Sequence, residues 1–464
     1  MTIDDLREAV RGSVIAVDSA NYAAASQSLL FNARKPARQP RIIVQAADVA
    51  DVQATVRFAR AKGLRVSPRG GGHNWSGIAQ QADIVLDLGA LRSLRIDAGM
   101  RMAEAGPAVT NRMLAEALER KGLAFPAGHC ADVPLSGYLL GGGFGWNSGA
   151  WGIACFNVES LDVVTADGEL RRASAHEHPD IFWAARGAGP EFFGVVVSYR
   201  LRLQPLPRAI TTSMRTYPLD DIDAVTRWVK AAMASGPANV EFTVALTTAP
   251  EPLAGRSPKT ASAIATVFAN NRAEARATLS RIAAMAPAGA LDVHEEMPTP
   301  FGVLYDITGG FFPQGRRYAV DSFWTADEDL FAGMARAVAK APSRETFALG
   351  VIGPAHPPAL PDAAFSKIAP VFGCAYAIWD DAAADAGNIA WLRELAQDVA
   401  PLTLGHYVGE ADLELPQRLE NCFSAEARAR LKALQAQYDP AGTFRRPLPS
   451  DLPRSQAKAK RAAA

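Results

Sequence analysis

The sequence predicts an α+β protein of at least two domains, the second built on an antiparallel sheet flanked by helices. Three observations carry this reading. The chain has 464 residues, more than one ordinary core organises. Pro205 and Pro207 punctuate it after a strong β-branched run, which places a boundary there. From about Ile210 to Pro401, strand patterns are separated by helical ones such as Asp221 to Ala234 and Arg272 to Met285.

In chain order, Ala47 to Lys62 carries helical periodicity, with Val49, Val52, Val56 and Ala59 on one face. Leu64 to Pro68 reads as a short strand leading into a glycine loop, and Ile84 to Leu88 as a buried strand. Asn111 to Lys121 is a second amphipathic helix, with Gly122 just past its end as the C-cap. A second glycine loop follows. Leu161 to Thr165 and Glu169 to Arg172 form a hairpin around Asp167-Gly168. Val195 to Leu203 is the β-branched strand before the boundary, and Phe372 to Trp379 is an apolar strand of the second domain.

Lys plus Arg equals Asp plus Glu at 48 each, so nothing points to nucleic acid or an anionic membrane surface. The one basic run, Lys458 to Arg461, lies in an Ala-rich tail expected to be disordered. No basic region followed by an apolar core opens the chain, and no apolar run is long enough to span a bilayer. Cys130, Cys155, Cys374 and Cys422 form no CxxC, so neither a zinc site nor a disulfide framework is expected, and a reducing, cytoplasmic setting is the simplest reading.

The two glycine loops are Arg69-Gly-Gly-Gly-His73 and the run from Cys130-Ala-Asp-Val133 to Leu140-Gly-Gly-Gly-Phe-Gly145. Glycine lets backbone amides approach an anion closely. Neither loop has the G-x-G-x-x-G spacing of a nicotinamide site, because position 75 is Trp and position 148 is Ser. On their own such glycines mark tight turns as readily as anion sites, His73 reads as a structural histidine, and Cys130 as a small buried residue. Together they join a pyrophosphate loop to a nucleophile twice in one domain, which suggests a covalently held flavin dinucleotide. Attachment requires a neutral His73 nitrogen and a Cys130 thiolate. His129 either lowers the thiol pKa or faces solvent.

These residues resemble the flavin-dependent oxidases of the vanillyl-alcohol-oxidase type, with a PCMH-type FAD-binding domain, in their berberine-bridge-enzyme-like branch. The first loop matches the family's R-G-G-G-H loop, whose His is bonded to the flavin 8α methyl. Cys130-x-x-Val133, Gly137 and Gly141-Gly-Gly-x-Gly145 match the segment whose Cys bonds flavin C6. Trp151-Gly-Ile-Ala-Cys155, Val163-Val-Thr-Ala-Asp-Gly168, Asp180-Ile-Phe-Trp-Ala-Ala-Arg-Gly-Ala-Gly-Pro190 and Phe193-Gly-Val-Val-Val197 also match, and Tyr438-Asp-Pro-Ala-Gly-Thr-Phe-Arg445 looks like the closing motif.

The resemblance implies a two-part FAD-binding domain over 1–208 (core about 36–207), a substrate domain over 209–405, and a C-terminal segment, 406–464, returning to the first domain. It implies FAD held bicovalently through His73 and Cys130. The cofactor would be lined by Arg69, Gly70, Gly71, Gly72, Asn74, Gly77, Val133, Gly137, Tyr138, Gly142, Gly143, Gly145, Trp146, Asn147, Gly152, Ile153 and Val195. The chain departs from the family at Pro134-Leu-Ser-Gly137, at Gly409, where an Asn often touches the flavin, and at Gly353-Pro-Ala-His356, which stands where a Gly-Gly-Ala strand is usual.

The implied chemistry is hydride removal from an alcohol, sugar or amine C–H, with a base taking the O–H or N–H proton. Tyr407 and Glu410 are the candidate bases; burial would raise a Glu410 pKa toward neutrality, whereas Tyr407 would need its own lowered. Val133, smaller than the Leu that blocks oxygen in relatives, implies dioxygen as acceptor and H₂O₂ as product. The expected partners are a small-molecule substrate and dioxygen, in a monomer or homodimer. A flavin-dependent tailoring enzyme for ring closure or dehydrogenation of a natural product, and a flavin-binding protein without turnover, are the alternatives. Phe323, Trp324, Tyr376 and Trp379 either line the substrate pocket or pack in the core.

Overall fold

The computed structural model describes residues 2–234, 236–353 and 359–444; Pro354 to His356, Arg445 and the basic tail lie outside the described residues. After a short helix, Ile3–Ala9, the first sheet is built from strands β1 (Ser13–Ala16), β2 (Ile42–Gln45), β3 (Val66–Arg69) and β4 (Ile84–Asp87), ordered β1-β2-β4-β3. β1 runs antiparallel to β2, and β4 runs parallel to both of its neighbours. The Ile-Ile-Val and Ile-Val-Leu runs of β2 and β4 are buried throughout, as parallel strands covered on both faces must be. The predicted helix spans Val49–Lys62. Asp48 caps it by accepting from the Asp51 N–H, and Gly63 ends it at φ +62°.

β5 (Leu94–Asp97), β6 (Met102–Ala105), β7 (Leu123–Ala124), β8 (Val158–Thr165), β9 (Leu170–Ser174), β10 (Gly194–Arg202) and β11 (Gln204–Pro205) follow. Five of them form an antiparallel sheet, β5-β6-β10-β8-β9, and β7 pairs with β11. The hairpin turns at Asp167-Gly168, with Gly168 at φ +81°. The two sheets pack through Val164, Val195 and Val197 against Val44, Val56 and Leu86.

β12 (Ala209–Pro218), β13 (Val240–Thr248), β14 (Lys259–Ala269), β15 (Asp292–Pro298), β16 (Arg317–Thr325), β17 (Phe347–Ile352) and β18 (Val371–Trp379) build the third, wholly antiparallel sheet, ordered β15-β12-β14-β13-β17-β18-β16. The fold is therefore α+β, as the sequence predicts. Helices Ile222–Ala234, Arg272–Ala283, Asp329–Ala339 and Asp385–Asp398 cover one face of this sheet. The other face carries Tyr318, Trp324, Phe347, Phe372 and Tyr376 and packs on Ile153 and Tyr407.

The period of two divides the four aromatics singled out in the sequence. Phe323 and Trp379 pack against the helices, and Trp324 and Tyr376 point the opposite way. β18 is buried at every position because both of its faces are covered. After the sheet, the chain runs along its β16 edge, where Leu404 and Gly405 pair with Trp324. Residues 411–434 then pack into the core of the second sheet, and Phe444 joins that of the first.

Candidate active site

The first glycine loop leaves β3 at Arg69. The Arg69 guanidinium pairs with Asp87 at 2.9 Å and donates to the carbonyls of Leu29 (2.9 Å) and Gly71 (3.1 Å). The side-chain donors of Arg69, expected at the cofactor, are thus engaged in shaping the loop. Gly72 has φ +72°, and a Cβ there would lie 1.9 Å from the Leu29 carbonyl oxygen. Gly72→Ala is expected to destabilise the fold by on the order of 1–3 kcal/mol from backbone strain alone, read as a fall in Tm, with flavin content falling alongside.

His73 stacks on Phe31 at 5.1 Å between ring centroids and opens, with Asp132 and Gln314, onto a cavity of about 290 Å³. Burial pushes its imidazole down to about 4, so it is neutral at physiological pH and carries a nucleophilic lone pair. The Asn74 side chain is occupied in its own turn, accepting from the N–H of Ser76 (3.1 Å) and Ile78 (3.4 Å), and Gly77 completes that turn at φ +61°.

Pro134 packs directly over the first loop: a Cβ at Gly71 would sit 2.6 Å from its ring, and one at Gly70 would sit 1.8 Å from the Ser136 hydroxyl. The second loop therefore abuts the first. Burial, reinforced by the Glu410 and Asp132 carboxylates, pushes the Cys130 thiol up to about 12. His129 is half-buried and paired with a carboxylate, and it is not among the groups that shift the thiol. Its Nε2 lies 2.8 Å from Glu241 on β13, and its ring lies edge-on to Trp146. Glu241 also accepts the Asn147 N–H at 3.3 Å.

Helix Leu135–Leu140 carries Gly137 and Tyr138. The Tyr138 hydroxyl donates to the Pro126 carbonyl at 2.6 Å, and its ring fills the space that Gly143 and Gly145 leave by lacking a Cβ. Gly142 and Gly143 hold φ of +107° and +86°. Trp146 Nε1 and Asn147 Oδ1 are buried with no hydrogen-bond partner among the described residues. Gly152 turns the chain at φ +74°, and Ile153 packs in the aromatic cluster. Val133 is half-buried against the core of the second sheet. Val195, expected at the cofactor, is instead fully buried between the two sheets and offers a ligand no surface.

The donor set fits a dinucleotide. The backbone N–H groups of Gly71, Gly72, His73 and Asn74, and those of Ala131, Asp132 and Val133, have no partner among the described residues. Two abutting runs of free amides make the concave nest that binds phosphate oxygens.

The C-terminal segment supplies the remaining chemistry. The Tyr407 hydroxyl accepts the N–H groups of Gly143 (3.2 Å) and Phe144 (3.3 Å), and burial drives its pKa above the ordinary phenol range. Tyr407 thus clamps the glycine loop, and its raised pKa disfavours the phenolate that a base would need. Glu410 Oε2 accepts the Trp75 indole N–H at 2.7 Å, with the Cys374 thiol at 3.9 Å. Burial pushes its carboxyl up to about 7, against the hydrogen bonds of Trp75 and Tyr376 and the charge of His129. Around it stand Trp75, Tyr318, Tyr376 and Phe312, with Trp75–Tyr318 centroids 5.0 Å apart and Phe312–Tyr376 5.1 Å. Sequence reading missed Trp75, Tyr318, Cys374 and Glu241; only Trp75, two residues from His73 in the glycine loop, carried a signal in the chain itself.

Residues 40–174 match a family model described as an FAD binding domain. The chain is 32% identical to the FAD-linked oxidoreductase ptmO of Penicillium ochrochloron, over 91% of this chain and 93% of that protein. Among solved structures, 6-hydroxy-D-nicotine oxidase from Arthrobacter nicotinovorans superposes with a TM-score of 0.80 at 24% identity, covering 94% of this chain and 97% of that one. The berberine-bridge-enzyme-like 1 protein of Physcomitrella patens superposes with a TM-score of 0.82 at 18% identity, covering 97% and 98%. These two likenesses speak for the fold.

Proposed function

The chain belongs to the FAD-linked oxidoreductases, and from that premise we propose that it is of their berberine-bridge-enzyme-like branch and oxidises an alcohol or amine carried on a flat ring, with dioxygen as acceptor and H₂O₂ as product. The observation that supports this most is Glu410: one carboxylate, its pKa lifted to about 7, set among aromatic rings beside both glycine loops. Bound FAD supplies the hydride acceptor. The free amides of Gly71–Asn74 and Ala131–Val133 would hold its phosphates, and His73 and Cys130 would attach it by two covalent bonds.

Glu410 takes the proton from the substrate O–H or N–H as the carbon loses hydride and gains a double bond to oxygen or nitrogen. The balance is R₂CH–XH plus O₂ giving R₂C=X plus H₂O₂. Trp75 holds the carboxylate in place by donating its indole N–H to Oε2. The wall offered by Phe312, Tyr318 and Tyr376 suits ring faces better than a sugar, whose hydroxyls need many partners where the wall offers few. The half-buried Val133, smaller than the Leu of oxygen-blocked relatives, supports dioxygen as acceptor.

The test is peroxide release from glucose, secondary benzylic alcohols and cyclic aromatic amines, alongside anaerobic reduction followed by air. A ring-bearing donor is expected to release peroxide and glucose to be inert. Turnover of glucose alone would overturn the substrate class. A flavin that is reduced by donor yet stays reduced in air would overturn the oxidase.

A further inference from the structure

Glu410 lies in a loop with no helix or sheet of its own, and something must hold its carboxylate still. The loop is anchored on both sides by two adjacent residues of β16. On one side Ser322 Oγ accepts the Tyr407 N–H at 3.1 Å and lies 3.2 Å from the Tyr407 carbonyl, to which it donates. On the other, Asp321 Oδ1 accepts the Asp412 N–H at 3.1 Å together with the Ser322 N–H at 3.0 Å. Glu410 sits between these pins, and its N–H closes a turn onto the Tyr407 carbonyl at 3.0 Å.

Asp321 is 1% exposed, so an unpaired carboxylate there would be costly. Its Oδ2 meets Arg418 Nε at 2.8 Å. Arg418 Nη1 also reaches His406 Nε2 at 3.2 Å, while His406 Nδ1 lies 2.5 Å from the Ser322 carbonyl. This arrangement assigns one tautomer: Nδ1–H donates to the carbonyl, Nε2 accepts from the guanidinium, and the ring is neutral. The hydrogen bonds and ion pairs of the cluster run to the strand edge, to the loop or to one another, and none runs to Glu410. The purpose of the cluster is therefore positional.

We propose that Asp321, paired with Arg418, is a positioning residue that sets the Glu410 carboxylate against the substrate proton. The inference rests on Glu410 being the base. Loss of the Asp321 charge sets an amide NH₂ against the Arg418 guanidinium, donor against donor, which weakens the Asp412 pin and lets the loop drift, and a displacement of about 1 Å at a reacting group costs up to about a hundredfold in rate.

The test uses the flavin-loaded protein and its Asp321→Asn, Ser322→Ala, Glu410→Gln and Asp321→Asn/Glu410→Gln variants, with two readouts. The first is hydrogen–deuterium exchange of 404–412. Asp321→Asn is expected to raise it at unchanged flavin content, and Glu410→Gln to leave it unchanged. The second is the pH profile of anaerobic reduction by the donor found active above. Asp321→Asn is expected to slow reduction about ten- to a hundredfold and to displace the inflection, and to have no further effect once Glu410 is Gln. The groups that face Glu410 in that titration are Cys130, His129, Cys374, Tyr376 and Tyr407; those that face Asp321 are Arg418, His406, Asp412, Cys374 and Cys422.

Unchanged exchange in Asp321→Asn, or rate effects that add to those of Glu410→Gln, overturns the proposal. Raised exchange with a Glu410→Gln variant of full activity overturns the base instead. Should Asp321→Asn fail to fold, Ser322→Ala carries the same two readouts through the neighbouring pin.

Discussion

Glu410→Gln is expected to slow anaerobic flavin reduction by about 10²–10⁴-fold, the range over which a positioned general base contributes. The direction of the pH dependence follows from the site. A base works only when ionised, and burial has moved this carboxyl up to about 7. Reduction by the wild-type protein should therefore rise with pH through about 7 and level off above it, and the Gln variant should be slow and flat. Stability runs the other way. A carboxyl whose folded pKa lies above its unfolded value favours the folded state while protonated. That contribution is whole below the ordinary 4.5 and is lost as pH climbs to about 7. Glu410→Gln is therefore expected to melt higher than the parent at pH 8 while turning over far more slowly. A Gln variant that melts lower and keeps a sloped pH profile would contradict this account.

The second large effect concerns the two nucleophiles. Acid precipitation of the parent should give a yellow pellet, and His73→Ala and Cys130→Ala should each keep the flavin bound with a shifted spectrum. The double variant should leave all flavin in the supernatant. The two bonds should also form at different pH. The His73 imidazole, held down to about 4, is already neutral across the working range. The Cys130 thiol, pushed up to about 12, yields about tenfold more thiolate for each unit by which the pH rises toward that value. Attachment through Cys130 should accordingly quicken as pH rises, whereas attachment through His73 should not. Mass spectrometry of apo-protein mixed with FAD at pH 6 and at pH 9 reads both rates. A colourless pellet from the parent would refute covalent attachment altogether.

What could be read from the sequence was whatever depends on neighbours along the chain. The helix at Val49–Lys62 announced itself by its apolar spacing, and the β8–β9 hairpin by Asp167-Gly168. The glycine loops were visible for the same reason, since positive φ at Gly72, Gly142 and Gly143 favours one residue type. The division of the aromatics was not visible. β18 is apolar at nearly every position, so no alternation betrays that Tyr376 and Trp379 face opposite ways until the helices are placed on one side. Arg69 looked like a phosphate ligand because its motif says so, and only the position of Asp87 on the neighbouring strand reveals where its charge is spent. Glu241 and Asp321 had no signal at all. A lone carboxylate within a strand becomes meaningful only through the register that sets it against Asn147 or Asp412.

The bond between the Trp75 indole and Glu410 joins positions 335 residues apart. At about 5–20 residues per second of synthesis, on the order of half a minute separates the emergence of the two partners. During that interval both glycine loops, with His73 and Cys130, exist without the C-terminal segment that completes the site. The order of events in the cell follows from this. Residues 411–434 and Phe444 also complete the cores beneath those loops, and Tyr407 clamps the second of them, so the site as a whole waits for the last stretch to dock.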